Sequence, residues 1–489
     1  MRPDAAPRVQ SLPAYEAAVR ALLSPLPGEP ALTASDREAL FGSPGPPSAI
    51  PGAHFVVAAG TVVALLGSGR HSRGAEVAAQ LAAEADELRV QTPPSLLPDV
   101  YTAIADGLLA VGDTRRAYRY ADAAERVARE RGRDASAYRA LGILALALAL
   151  SGEHAAAAEA IDRASQLTRR YGWPVAEPAY HLLLAHALRA EARADVAELE
   201  TVADTMRDSA SDVRWLLSSW AVSALAALFD GDSAAAIARS RQVTSTVAAG
   251  SAPPALRGFA LGSHADALVL RGEPSRALAM LDGESSTVDH CICLDAHRAS
   301  AYLHLGDLAA ALRTTAPCMR GAARHSHRTL GRVLLTRTIV FERIGRRDAA
   351  AASLEDALNV WTDADEAFVS PLLPLHEAAP AASALSRRPA LQERFARILA
   401  RTRSGEPAPI VRAATPPLLL TRREREVAYA LRTSNRATNA ELAASLHVSV
   451  NTLKTQLKTL YAKVGAHERD GAVRVLESVG FYDLPVDAR

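Results

Sequence analysis

Lysine is nearly missing from this 489-residue chain: there are three, Lys454, Lys458 and Lys463, all within ten consecutive residues near the C-terminus. That absence excludes a phosphate loop of the form Gly-x-x-x-x-Gly-Lys-Ser/Thr anywhere before residue 454, since the loop's lysine must reach the phosphates. Cysteine is as scarce. Cys291, Cys293 and Cys318 form an odd, sparse set that offers no disulfide framework and fits a reducing compartment. Long apolar runs are also missing. The longest, Ala140–Leu150, has eleven residues, short of the ~20 that span a bilayer. Met1–Gln10 is polar and no apolar core follows it, so a cytoplasmic protein off the membrane is expected. Net charge is only +1, yet from Leu418 onward eleven Lys and Arg stand against eight Asp and Glu. Affinity for nucleic acid should therefore be confined to that end.

What is present at that end explains the clustered lysines. Leu453, Leu457, Leu460 and Val464 are spaced at four, three and four, which gathers them on one face of a helix as its buried side. Asn451, Thr455, Lys458, Thr459 and Ala462 then point the opposite way, with Lys454 on one flank and Thr452, Gln456 and Lys463 on the other. Small hydroxyl and amide side chains can reach base edges in a major groove, and lysines supply charge for phosphates or guanine acceptors. A merely solvated face is the plainer alternative. Upstream, Thr421-Arg-Arg-Glu424 and Thr438-Asn-Ala-Glu441 have the form of capping boxes, each opening a short helix, and Ser449 is placed to cap the lysine helix after a turn at His447-Val448. Three short helices, the last two tightly joined, predict a helix-turn-helix.

At this point the sequence resembles the C-terminal DNA-binding domain of the LuxR family of bacterial transcription regulators. The matching residues are Leu420-Thr-Arg-Arg-Glu-Arg-Glu-Val427, Thr438-Asn-Ala-Glu-Leu-Ala443, Ser449-Val-Asn-Thr-Leu-Lys454, Tyr461-Ala-Lys-Val-Gly465, Arg469 and Ala472-Val473. Two departures stand out: Leu431–Ala437 is about two residues longer than the family usually has, and Gln456 replaces a common histidine. The resemblance implies that Lys454, Thr455 and Lys458 meet bases and that flanking Ser449, Asn451, Thr452, Thr459 and Lys463 serve the same DNA-binding face. It also implies a fourth helix over Arg469–Phe481 whose Val473, Leu476 and Val479 help a second subunit dock, giving a homodimer on double-stranded promoter DNA. RNA polymerase is a further candidate partner.

Ahead of this domain, turns headed by a small residue recur at Gly112, Gly152, Ala192, Gly231, Gly272, Gly306 and Gly345. Alanine follows five residues later each time, at Ala117, Ala157, Ala197, Ala236, Ala277, Ala311 and Ala350, and a residue that is almost always large and apolar comes four before. Gly69 and Gly74 make a degenerate earlier copy. The pattern resembles the Gly-Asp-x-x-x-Ala turn of tetratricopeptide repeats, with longer helices. An all-α chain is therefore expected: an irregular or helical lead-in over 1–54, a TPR-like solenoid over 55–400 that senses a protein, peptide or small-molecule effector, a Pro-rich linker over 401–417, and a four-helix helix-turn-helix domain over 418–489. The architecture resembles the C-terminal half of large ATP-dependent LuxR regulators without their nucleotide-binding domain.

Other motifs carry less. Leu32–Leu40 echoes the start of the DNA-binding domain but reads as a short capped helix. His290-Cys-Ile-Cys293 with His297 and Cys318 has zinc-ligand chemistry, yet cysteines two apart diverge on a helix, and buried free thiols are the expectation. His325-Ser-His327 reads as surface, and Trp215 and Trp220 as repeat core rather than pocket wall. No nucleophile–base pair or carboxylate pair has a spacing that marks catalysis, so neither an enzyme nor a cofactor is expected. The favoured function is a sequence-specific transcriptional regulator. A non-enzymatic scaffold acting on another regulator through protein contacts is the alternative, and the confined lysines favour the first.

Overall fold

The computed structural model describes residues 12–26, 31–42, 51–173, 180–210, 213–245, 251–361, 371–404, 422–433, 437–464, 466 and 468–478. Among them all regular structure is helical, with 25 α-helices and no strand. The chain divides into two compact units, Met1–Ile410 and Val411–Arg489.

In the first unit α1 (Leu12–Leu23) and α2 (Ala34–Gly42) come before the repeats. Helix pairs follow in chain order: α3 (Ala53–Gly67) with α4 (His71–Ala83), then short α5 (Ala85–Gln91), then α6 (Leu97–Ala110) with α7 (Thr114–Glu130). Next come α8 (Asp134–Ser151) with α9 (His154–Tyr171), α10 (Tyr180–Arg193) with α11 (Val196–Asp208), and α12 (Val213–Phe229) with α13 (Ser233–Thr244). The last pairs are α14 (Pro254–Leu270) with α15 (Pro274–Leu281), α16 (Leu294–Leu305) with α17 (Leu308–Arg320), and α18 (His327–Arg343) with α19 (Arg347–Val360). Helices α20 (Ala379–Ala384) and α21 (Pro389–Ser404) end the unit. α1 packs on α3, so residues 12–23 extend the stack at its N-terminal end. α21 runs through Ser404 into the segment expected as linker, and the rest of that segment lies outside the described residues. The capped helix expected at Leu32–Leu40 is α2, whose Thr33 and Asp36 exchange side-chain-to-amide bonds.

The two helices of a pair are built differently. α6 buries thirteen of its fourteen residues, whereas α7 buries six of seventeen, chiefly the stripe Ala117, Ala121, Ala124 and Ala128. Alanines at four, three and four let the second helix lie close against the first, which is why alanine marks the pattern. The turn residues Gly112, Gly152, Gly231, Gly272, Gly306 and Gly345 all have φ between 75° and 89°. Most turns share one closing bond. Asp113 N donates to Leu108 O at 3.0 Å, Glu153 N to Leu148 O at 2.9 Å and Arg346 N to Phe341 O at 2.8 Å, the six-to-one bond that ends a helix at a left-handed residue.

One unit of the repeat departs from the expected phase. Ala192 is buried inside α10 and Ala197 is exposed. The left-handed residue is Ala194, with φ 54°, and Leu199 takes the buried position five residues on. A match by small residue alone picks the wrong alanine, because alanine here adopts a conformation normally left to glycine.

The superhelix closes on itself about four pairs on. His71, at the start of α4, has Nε2 3.0 Å from the Ser251 carbonyl oxygen ahead of α14. Asp289, ahead of α16, accepts a bond from Arg115 N at 2.9 Å. Ser326, ahead of α18, donates to Leu150 O at 2.7 Å. The Gly152 turn is so close to the α18 entry that a Cβ there would lie 2.5 Å from Arg328 N. α8 alone, among the described residues, is long and apolar enough to cross a membrane, and most of it is buried within this stack.

The second unit contains α22 (Arg422–Thr433), α23 (Asn439–Ser445), α24 (Val450–Val464) and α25 (Arg469–Ser478) around one small core.

Candidate nucleic-acid interface and interior chamber

In the second unit, Leu453, Leu457 and Leu460 are buried against Val427, Leu431, Leu442 and Leu476, so the apolar stripe of α24 faces inward as its spacing requires. Thr438 and Glu441 form a complete capping box at α23; the box headed by Thr421 lies outside the described residues. His447, with φ 52°, ends α23, and Val448 N donates to Ala443 O at 2.9 Å. Ser449 Oγ then accepts from Thr452 N at 3.1 Å, starting α24 at once. Arg423 steadies the turn by donating to Leu446 O at 2.7 Å.

This construction exposes Ser449, Asn451, Thr452, Lys454, Thr455, Lys458 and Thr459. Thr455 and Thr459 donate their hydroxyl protons to the carbonyl oxygens of Asn451 and Thr455, both at 3.1 Å, which leaves the hydroxyl oxygens as acceptors. Neither Lys454 nor Lys458 has an ion pair among the described residues, while six arginines from Arg20 to Arg139 do, one of them, Arg139, with Asp106. Lys463 belongs to α24, and its side chain lies outside the described residues, as does Val479. Of the residues expected at a dimer contact, Val473 and Leu476 are described. Leu476 is fully buried and Val473 nearly so, both in the unit's own core, because a four-helix unit this small needs the apolar stripe of α25 to cover its other three helices.

In the first unit, the inner faces of α3, α6, α8, α10, α12 and α14 enclose an apolar chamber of about 780 Å³, counting its mouth. Leu109, Leu146, Leu184, Leu225 and Phe259 form much of its wall, and Ile292 closes one side. The indoles fall where core packing was expected: Trp215 is buried against Tyr180, ring centres 5.4 Å apart, and neither it nor Trp220 lines the chamber. Polar groups meet the wall at His71 and, as a cluster, around Asp106. Asp106 lies 3.0 Å from His181 Nε2 and 3.6 Å from Arg139, with Arg214 also lining the space. Burial alone would raise the Asp106 carboxyl, but the charge and hydrogen bond of His181, with Arg214 and Arg139, hold it below the usual carboxylate range. A second, more polar space of about 490 Å³ shares Leu225, Phe259 and Ile292 with the first.

Two further buried pairs lie beside that second space. Arg328 donates a fork to Glu191 at 2.6–2.8 Å and reaches Cys291 O at 2.9 Å. Arg332 forks to Asp266 at 2.7 and 2.8 Å, and His297 Nδ1 lies 2.8 Å from the same carboxylate. Here Arg332 and His297 hold Asp266 below the carboxylate range against the raising effect of burial. Apart from His297, none of these residues had a local motif, since each pair joins segments tens of residues apart.

All three cysteines are free and buried, as expected, but their neighbours differ from the zinc-ligand set read in the sequence. His297 is committed to Asp266, and Cys291 turns away to Thr287 and Gly112. Cys293 instead meets Cys318, His290 and His325. His325 is 5% exposed, not a surface residue, because it sits in the segment that inserts against α8; His327 is exposed and pairs with Glu153. The expectation of diverging cysteines holds for Cys291 and Cys293, but they lie in a turn ahead of α16, and the partner thiol comes from α17.

No protein-family model matches the chain, and no curated protein matches it.

Proposed function

We propose that this chain is a sequence-specific DNA-binding transcriptional regulator of the LuxR type, with α22–α25 as its helix-turn-helix domain and the helix pairs as a TPR-like sensor. The observation that carries the reading is the exposed row from Ser449 to Thr459, in which two unpaired lysines flank small hydroxyl and amide side chains over a buried leucine spine. Such a row can present hydrogen-bonding groups to base edges while its cations neutralise phosphate. The mainly apolar wall favours a small apolar effector with some polar functionality, received by the chamber beside Asp106 and His181. A non-enzymatic scaffold acting on another regulator through protein contacts finds less support, since it has no need of exposed lysines beside small polar side chains.

The test is footprinting and equilibrium binding of the full chain on DNA from upstream of its own gene. Lys454→Ala with Lys458→Ala should abolish specific binding while helix content persists, because alanine is the best helix former. Lysines lost from phosphate lower the salt slope by about one per contact. Two chains bound as a homodimer protect half-sites about 34 Å apart. Unchanged operator affinity in the double variant overturns the assignment.

A further inference from the structure

Beneath the segments that close the superhelix, one ring nitrogen each of His290 and His325 and the sulfurs of Cys293 and Cys318 all lie within 4.8 Å of one another. The sulfurs are 3.7 Å apart, and Cys318 Sγ is 3.8 Å from His290 Nδ1. A tetrahedron with metal–sulfur bonds of about 2.3 Å and metal–nitrogen bonds of about 2.0 Å has edges of about 3.8 Å between sulfurs and about 3.5 Å from sulfur to nitrogen. The cluster is already near that size, whereas a disulfide needs its sulfurs at about 2.05 Å. Cys293, Cys318 and His325 are at most 5% exposed. His325 places Nδ1 3.0 Å from the Ser326 carbonyl oxygen, while its Nε2 is buried with no hydrogen bond. That is the second-sphere arrangement of a metal-bound imidazole, one nitrogen held by backbone and the other left for the ion.

We propose that His290, Cys293, Cys318 and His325 bind one zinc ion, which staples together the segments that close the superhelix. Two thiolates and two imidazoles make a closed, four-ligand, charge-balanced set suited to structural zinc. The ligands come from both closing segments. Asp289 and Cys291, which flank His290, reach Arg115 and Gly112; Ser326, next to His325, reaches Leu150 and also donates its amide to Asp289 O at 2.8 Å. Ile292, between Cys291 and Cys293, is part of the chamber wall, so the ion also fixes that wall.

The experiment is elemental analysis of the full chain purified without chelator, with cobalt(II) reconstitution as the spectroscopic probe. One zinc per chain is expected, and cobalt should give the intense visible bands of a tetrahedral site together with thiolate charge transfer. Cys318→Ser and His325→Ala should each lose most of the metal, and Cys291→Ser should keep it. Chelation should lower the melting temperature and added zinc should restore it. If Cys318→Ser does not fold, the wild-type cobalt spectrum decides alone. Wild-type chain with reduced thiols but neither zinc nor a cobalt spectrum, a Cys293–Cys318 disulfide in freshly purified chain, or equal loss in Cys291→Ser would each overturn the site.

Discussion

In the repeat unit Asp106, Glu191 and Asp266 lie against Arg139, Arg328 and Arg332, all six side chains buried, whereas in the C-terminal unit Lys454 and Lys458 stand exposed without a carboxylate. Charges taken out of water repay their desolvation only when geometry and hydrogen bonds are good. The buried forks meet that condition and tie distant segments together, so they select one closure of the superhelix. Exposed cations have no such constraint and remain available to a partner. The difference separates charge that specifies the fold from charge that leaves the fold indifferent, and variants in each class should behave accordingly.

The largest effect should come from Glu191→Gln, which leaves the Arg328 guanidinium buried without its counter-charge and is expected to cost about 3–5 kcal/mol in urea unfolding. A loss below about 1 kcal/mol would mean that solvent reaches the pair. Gly152→Ala should follow, at about 3 kcal/mol, because a Cβ there meets the Arg328 backbone in addition to the strain of left-handed alanine. Gly345 has the same sign of φ and nothing near its missing Cβ, so Gly345→Ala should cost only about 1 kcal/mol. Equal costs at the two turns would break the closure argument.

Buried histidines give a smaller, pH-dependent effect. Burial and then neighbouring arginines push His154 down to about 3 and His264 to about 4. Unfolded chains bind those protons near pH 6.5, so between there and about pH 4 the unfolded state holds more protons and stability must fall as pH falls. Replacing both with a neutral side chain of similar size should flatten the melting temperature across this window; an unchanged slope would place the acid sensitivity elsewhere. The smallest stability change belongs to Lys454→Ala with Lys458→Ala, within about 0.5 kcal/mol, since neither lysine has a folded partner to lose. A large loss of stability there would show that these lysines serve the fold after all.

Much of the helical architecture could be read directly from the sequence. Glycine in a turn, alanine five residues later and leucine at four, three and four are local signatures, because a left-handed residue, a close helix approach and a buried helix face each constrain residue type within a few positions. That is why Leu453, Leu457 and Leu460 were recognisable as the inward stripe, and why the polar row on the other face followed from helical geometry. Where the local signature lapses, the reading slips, as at Ala194, where alanine does glycine's work and Ala192 looks the better match. Superhelical closure was not readable at all. Which turn meets which entry, whether Val473 and Leu476 are spent on the core, and whether Cys293 meets Cys291 or Cys318 depend on contacts between segments up to about 180 residues apart. Such contacts are set by the accumulated rotation of successive helix pairs, a sum of small angles that no single stretch of sequence records. The sequence by itself determined the helices, their pairing and the exposed lysine face; only the tertiary structure decided the chamber, the buried charge pairs and the meeting of two cysteines with two histidines.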